Sequence, residues 1–242
     1  MKTLIKYLLH TVLGFGNYLF LFSRYKIYSL RKDKKEGDFF FFLKMLPDEG
    51  TVLDIGANIG IMTVHLARNS HRKVIAFEPM PHNLEALRRV IAFFRLDNIQ
   101  VIDCALGNEN GTTEMIMPMV GPVRMQGLSH VVHDSIQSQG NGERIRTRLC
   151  TLDSISELKA AGHVTGIKMD VENFEYYVLD GGKELLRTQQ PLLYIELWDN
   201  GNRQNCFRLL KELGYAPFVV EQGRLVPFTN QQKQNFIFRA EN

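Results

Sequence analysis

Val52-Leu53-Asp54-Ile55-Gly56-Ala57-Asn58-Ile59-Gly60 decides the fold, because it joins a short apolar run to a helical pattern through two glycines. Residues 51–55 read as a buried strand, and residues 59–68 carry apolar side chains at helical spacing. Gly56 lets the backbone turn tightly, and Gly60 lets the helix start close to the sheet or to a ligand. Outward from this turn, residues 73–77 form a second strand. Residues 83–94 form an amphipathic helix with Leu84, Leu87, Ile91 and Phe94 on one face. A third strand covers residues 99–106 and ends at Gly107. The rhythm breaks between 112 and 151, where strands at 112–117 and 144–149 flank a polar loop at 135–142. This reads as an antiparallel insertion. It then resumes with a helix at 152–161 (Asp153 near its start), a strand at 164–169, and a helix at 174–186 interrupted by Gly181-Gly182. A strand at 191–197, a helix at 202–213 closed by Gly214, and final strands at 216–220 and 236–238 complete it. The pattern predicts an α/β fold: a mainly parallel seven-stranded sheet with helices on both faces. Ligands of such sheets bind beyond the carboxyl ends of the strands.

The 242 residues suit one generous α/β domain plus an extension. A hydrophobic content of 45% excludes wholesale disorder, and a net charge of +3 is too weak to indicate a nucleic-acid partner. Cys104, Cys150 and Cys206 offer neither a disulfide framework nor a zinc spacing, which points to reduced thiols in a cytoplasmic protein. Residues 4–22 are largely apolar, but Lys6, His10, Asn17, Gly14 and Gly16 interrupt them, and no signal-cleavage site follows. Basic residues come next, from Arg24 to Lys35. We therefore expect a helical extension over 1–36 and a domain over 37–242. The extension packs on the domain, contacts an anionic membrane surface through residues 4–35, peripherally at its inner face, or spans the membrane, for which its length is borderline and its lysine unfavourable. Asp38 is placed to cap a helix at 39–46.

The glycine turn has the spacing D-x-G-x-x-x-G, not the G-x-G-x-x-G of dinucleotide binders. A pyrophosphate at the helix start would be repelled by Asp54. A zwitterionic amino acid suits the turn better, its ammonium facing the acid and its carboxylate the N–H groups. S-adenosylmethionine (SAM) has such an end and NAD does not. Glu78, in Ala76-Phe77-Glu78-Pro79, follows Gly60 at about the distance where an acid reaches ribose hydroxyls. Asp103 ends a strand and can accept from the adenine amino group, while Asn83 reads as a helix cap. Lys168-Met169-Asp170-Val171-Glu172-Asn173-Phe174-Glu175 brings three acids and a lysine to another strand end, and Glu196 ends the neighbouring strand. Clustered carboxylates raise one another's pKa and supply a proton acceptor near neutral pH. His130, His133 and Asp134 are spaced loosely like metal ligands but read as structural, so no metal is assigned. Arg144, Arg146 and Arg148 alternate along one strand face.

The order of these motifs resembles the FkbM-type methyltransferase family. The resemblance is carried by Val52 to Gly60, Ala76 to Asn83, Ala105 to Gly111, Thr151 to Ile155, Ile167 to Glu175 and Pro191 to Glu196. It implies a Rossmann-like class I methyltransferase fold with SAM as cofactor and a hydroxyl acceptor on a small molecule or saccharide. By the resemblance Gly56, Asn58, Gly60 and Glu78 would hold SAM; Asp54 and Asp103 join them on the strand-end reading above. Asp170 and Glu172 would line the reaction site by the same resemblance, and the strand-end reading adds Glu196 from the next strand. Asn173 stands where the family usually has glycine, and asparagine tolerates the left-handed backbone better than most residues. Two other readings stay open: an NAD(P)-dependent oxidoreductase, and a membrane-associated binding protein that kept the fold without the chemistry.

Overall fold

Apolar runs of five or six residues bounded by turn residues are too short for helices, and in this chain they become strands buried on both faces. The computed structural model describes residues 2–133 and 141–241. It begins with helices α1 (Lys2–Leu13), α2 (Phe15–Ser29) and α3 (Gly37–Met45). The alternating part follows as β1 (Thr51–Ile55), α4 (Ile61–Ala67), β2 (Lys73–Phe77), α5 (Pro81–Phe94) and β3 (Ile99–Ile102). The insertion comprises β4 (Ala105–Leu106), β5 (Gly111–Val120), β6 (Val123–Arg124), β7 (His130–Val131) and β8 (Gly142–Cys150). Then come α6 (Ser156–Ala160), β9 (Val164–Met169), α7 (Glu175–Asp180), α8 (Lys183–Gln189), β10 (Leu192–Glu196) and α9 (Gly201–Glu212). The chain closes with β11 (Tyr215–Glu221), β12 (Arg224–Pro227) and β13 (Asn235–Ala240).

The main sheet has eight strands in the order β12-β11-β13-β10-β9-β1-β2-β3, of which β10 through β3 run parallel and the other three antiparallel. The expected seven-stranded sheet is corrected by β12, a half-exposed edge strand ending in Pro227 that shows no apolar alternation. Residues 99–106 do not form one strand. The chain leaves the main sheet after Ile102, and Ala105–Leu106 pairs instead with β8 in a second sheet. That second sheet is the insertion, dominated by the antiparallel pair of β5 and β8, and Arg144, Arg146 and Arg148 lie on its exposed face.

Several helix ends move too. Asp38 lies inside the first turn of α3, and its partner is Lys233 at 3.6 Å, so it is not the cap. Pro81 opens α5, which leaves Asn83 within the helix. The segment 152–161 splits at Ile155, and Asp153 accepts from Glu184 N and Leu185 N at 3.0 and 2.9 Å, capping α8 rather than its own turn.

Alternate residues of the strands face two cores. Leu53, Ile75, Ile167, Leu193 and Phe236 pack in one, while Val52, Val74 and Tyr194 pack under Phe39 and Phe42 of α3 in the other. The extension belongs to this packing. Leu19 and Ile27 of α2 are fully buried against neighbours from α4 and α5, and Ser23 Oγ donates to the Ile59 carbonyl at 2.8 Å. Replacing a buried leucine by alanine removes contacts that the surroundings only partly recover. Leu19→Ala is expected to lower unfolding free energy by about 3 kcal/mol, measured by urea titration; an unchanged midpoint would detach α2 from the cooperative unit.

Candidate functional site

Parallel strands all finish on one side, so the turns after β1, β2 and β9 meet there. Between them lies a cleft of about 600 Å³, open mouth included. Gly56, Asn58, Glu78, Asn83, Asp170 and Glu172 contribute to its walls. The insertion supplies the far side through Met115, Gln126, Gly127, Ser129 and Val131.

The first turn is held from behind. Gly56 has φ 75°, and a Cβ on it would overlap the Asp170 carbonyl oxygen, so only glycine fits. Asp170 N donates to the Ile55 carbonyl at 3.0 Å, closing the β1 and β9 ends together. Asp54 does not line the cleft. It is fully buried, ion-paired with Lys168 at 3.2 Å, and accepts from Thr63 Oγ1 at 2.6 Å. Lys168 Nζ also donates to the Gly56 carbonyl at 2.9 Å. Burial works to lower the Lys168 pKa, but the charges of Asp54 and Asp170 outweigh it and the group is raised. Gly60 likewise stands back from the cleft, at the start of α4 with φ 82° and the Leu87 side chain against it.

Glu78 ties two loops together. Its Oε2 accepts from Asn58 N at 2.8 Å, and its Oε1 accepts from Met80 N at 2.8 Å and Asn83 Nδ2 at 3.2 Å. Burial pushes this carboxyl up to about 7, with those donors opposing the rise. Asn83 therefore lines the cleft from within α5 and is not the helix cap. Asn58 Oδ1, Asn83 Oδ1 and Gln126 Oε1 are buried without a hydrogen-bond partner among the described residues, and all three residues line the cleft. Gln126 carries no sequence signal, since only the folding of the insertion brings it there.

The second turn gathers the acids. Glu172 and Asn173 are both left-handed, at φ 53° and 76°, so asparagine holds the backbone where the resemblance expects glycine. Asn173 Oδ1 accepts from Asn200 Nδ2 at 2.8 Å. Glu175 is buried and braces the turn: its Oε1 accepts from Val171 N and Asn173 N, and its Oε2 from Asn202 Nδ2. Glu172 is pushed up to about 9 by burial and by the charges of Asp170, Glu196 and Glu175. Burial also raises Asp170, with Lys168 opposing. Glu196 closes β10 outside the cleft lining, raised to about 7 by burial and then by Asp170. Asp103 is exposed, 3.9 Å from Arg148, and next in the chain to cleft-lining Cys104. His130 Nδ1 is engaged with the Leu128 carbonyl at 2.9 Å, and the His133 ring packs on Phe174 and Tyr177. Asp134 lies outside the described residues.

The family model described as the methyltransferase FkbM domain matches residues 54–217. "Methyltransferase 1" of Beauveria bassiana is 24% identical over 188 residues, covering 72% of this chain and 75% of that protein. "Methyltransferase sdnD" of Sordaria araneosa is 23% identical over 195 residues, covering 70% and 75%. The crystal structure of methyltransferase FkbM from Methylobacillus flagellatus shares the fold, with a TM-score of 0.55 and 16% identity over 81% of this chain. The match spans 45% of that protein's length.

A carboxyl whose pKa is raised by folding stabilises below its unfolded value and loses that contribution as pH climbs to the folded one. For Glu172 the window runs from 4.5 to about 9. Glu172→Gln is expected to melt close to the parent at pH 4.5 and several degrees above it at pH 8.5, by calorimetry. A constant gap across that range would contradict the shift.

Proposed function

The chain belongs to the FkbM methyltransferase family, and on that premise we propose that it transfers a methyl group from SAM to a hydroxyl oxygen of a sugar, a lipid-linked saccharide or a natural-product acceptor. The observation that supports the cofactor most is the set of three buried oxygens, on Asn58, Asn83 and Gln126, around one cleft and without a partner among the described residues. An unmet buried acceptor costs about 1–3 kcal/mol, and SAM presents the matching donors: an ammonium, ribose hydroxyls and an adenine amino group. Gly56, Asn58 and Glu78 would hold it, and Asn83 and Gln126 add acceptors. Asp54 and Gly60 would act by shaping the turn, Asp54 through Lys168 and Gly60 through its contact with α5. Asp103 remains the candidate for the adenine amino group.

SAM in such a site supplies a methyl group on a positively charged sulfur. The protein's own task is to hold the acceptor oxygen in line with that methyl and to receive its proton. Glu172, raised to about 9, is protonated at neutral pH and suited to donate a hydrogen bond to the acceptor. Asp170 lines the cleft, and Glu196, raised to about 7 by burial, ends the neighbouring strand, so these two are the candidates to take the proton. Three buried free thiols accord with a cytoplasmic place of action.

Calorimetric titration is expected to show binding of SAM and S-adenosylhomocysteine (SAH) but not NAD, with Glu78→Ala weakening SAH at least tenfold. No affinity for either compound would sink the proposal, and NAD binding would favour an oxidoreductase. With an identified acceptor, Asp170→Asn or Glu196→Gln should reduce kcat about a hundredfold or more; full turnover in both would remove the proton-acceptor assignment.

A further inference from the structure

A helix on a protein surface ordinarily turns its apolar stripe inward and its charges to water. In α1 the arrangement is inverted. Tyr7, Leu8, Leu9 and Val12 are exposed, Val12 by 79%, while Lys6, His10 and Leu13 are half-buried toward the protein. Burial lowers the Lys6 pKa, and the His10 ring lies against Phe15 and Tyr18. The outward stripe of α2 continues the pattern with Leu21, Tyr25 and Tyr28 all exposed, the last two above 60%.

The charges around these faces have one sign. Up to residue 35 the sequence holds a single acid, Asp33, which is paired with Lys26 at 3.4 Å. Arg31, Lys32, Lys34 and Lys35, just beyond α2, are exposed. Beyond residue 35 the chain carries more acids than bases, so the positive balance of the whole protein resides in this segment. No helix among the described residues is long and apolar enough to cross a membrane.

We propose that the outward faces of α1 and α2, with the basic segment beside them, dock this protein on an anionic lipid bilayer. Apolar and tyrosine side chains enter the interfacial region while lysine and arginine meet lipid phosphates. A protein partner would need complementary acids ringing an apolar groove; a bilayer offers both features as a plane, which suits outward helix stripes. The surface also leads to the cleft. Helix α1 packs on β6, the hairpin partner of β5, whose end exposes Met119 and Val120. Phe15 touches the His82 ring, and Arg124 lies 4.9 Å from the Phe15 ring centre. Two residues beyond Arg124 begins the turn Gln126–Leu128, whose Gln126 and Gly127 line the cleft and whose Leu128 is exposed. Docking on this side sets the cleft beside the lipid plane, within reach of an acceptor borne on a lipid. That last step rests on the methyltransferase reading; the docking itself does not.

Co-sedimentation of the full chain with vesicles tests it, using phosphatidylcholine alone and phosphatidylcholine with 30% phosphatidylglycerol. The wild type is expected to bind the anionic vesicles at least tenfold more tightly and to weaken in 0.5 M salt. The double substitution Leu8→Glu with Val12→Glu, at exposed positions, should reduce binding at least tenfold, as should Lys32→Glu with Lys35→Glu. Both variants should keep the wild-type affinity for SAH. Absence of vesicle binding, or binding that survives both double substitutions, overturns the proposal. So does a solution dimer that the Leu8 and Val12 substitutions dissociate while vesicles stay unbound, since the face then belongs to a second copy. Vesicle binding without SAH binding leaves docking in place and removes the cofactor assignment instead.

Discussion

Asp54 and Lys168 sit opposite one another on adjacent parallel strands, both almost wholly removed from water, with 3.2 Å between their charged atoms. Burying two charges is costly unless each finds its full set of partners. Here Thr63 Oγ1 donates to the other carboxylate oxygen and Lys168 Nζ donates to the Gly56 carbonyl. The consequence is geometric. The glycine turn after β1 is fastened to β9 from behind, while the Asp170 carbonyl closes off the space where a side chain on Gly56 would go. The cleft has its floor because this ion pair holds the two strand ends together, and breaking either half would leave an uncompensated charge in the sheet.

In front of that latch, the acids differ in what they are free to do. Glu78 and Glu175 are each committed to three N–H donors and act as ties between loops. Asp170, Glu172 and Glu196 make no comparable set of bonds among the described residues, and burial raises all three carboxyls; the Asp170 charge adds to the rise at Glu172 and Glu196, and that of Asp54 to the rise at Asp170. Such a group is what proton transfer near neutral pH calls for. Glu36, at the end of the extension, is raised by burial and also senses Asp33 and Asp170, which makes the N-terminal segment electrostatically part of the site.

The insertion and the extension give a generic sheet its particular character. The first walls the cleft with Gln126, Ser129 and Val131, and the second packs α2 across α4 and α5, the helices that follow the turns after β1 and β2. Loops and appended helices on a rigid scaffold are where α/β proteins vary their ligands. In this chain the two appended pieces touch each other, through α1 and β6.

Periodicity and turn chemistry are local, and they settled much. Residues 51–55, 73–77 and 164–169 are strands at the limits read from their apolar runs, because parallel strands buried on both faces leave a continuous hydrophobic signature. The glycine turn, Glu78 and the acids after β9 were likewise legible as strand-end chemistry. Other features depend on partners distant in sequence. β12 is a strand only because β11 offers an edge, and Asp153 caps a helix some thirty residues away. Asp54 faces Lys168 and not the cleft, because the β1–β9 register sets them side by side. Gln126 enters the site only because β5 and β8 pair and carry its turn there. What the amino-acid order determined by itself was each segment's backbone preference and the chemistry at its ends; which of those ends meet, and which polar atoms lose water in meeting, was decided by the packing of the sheets.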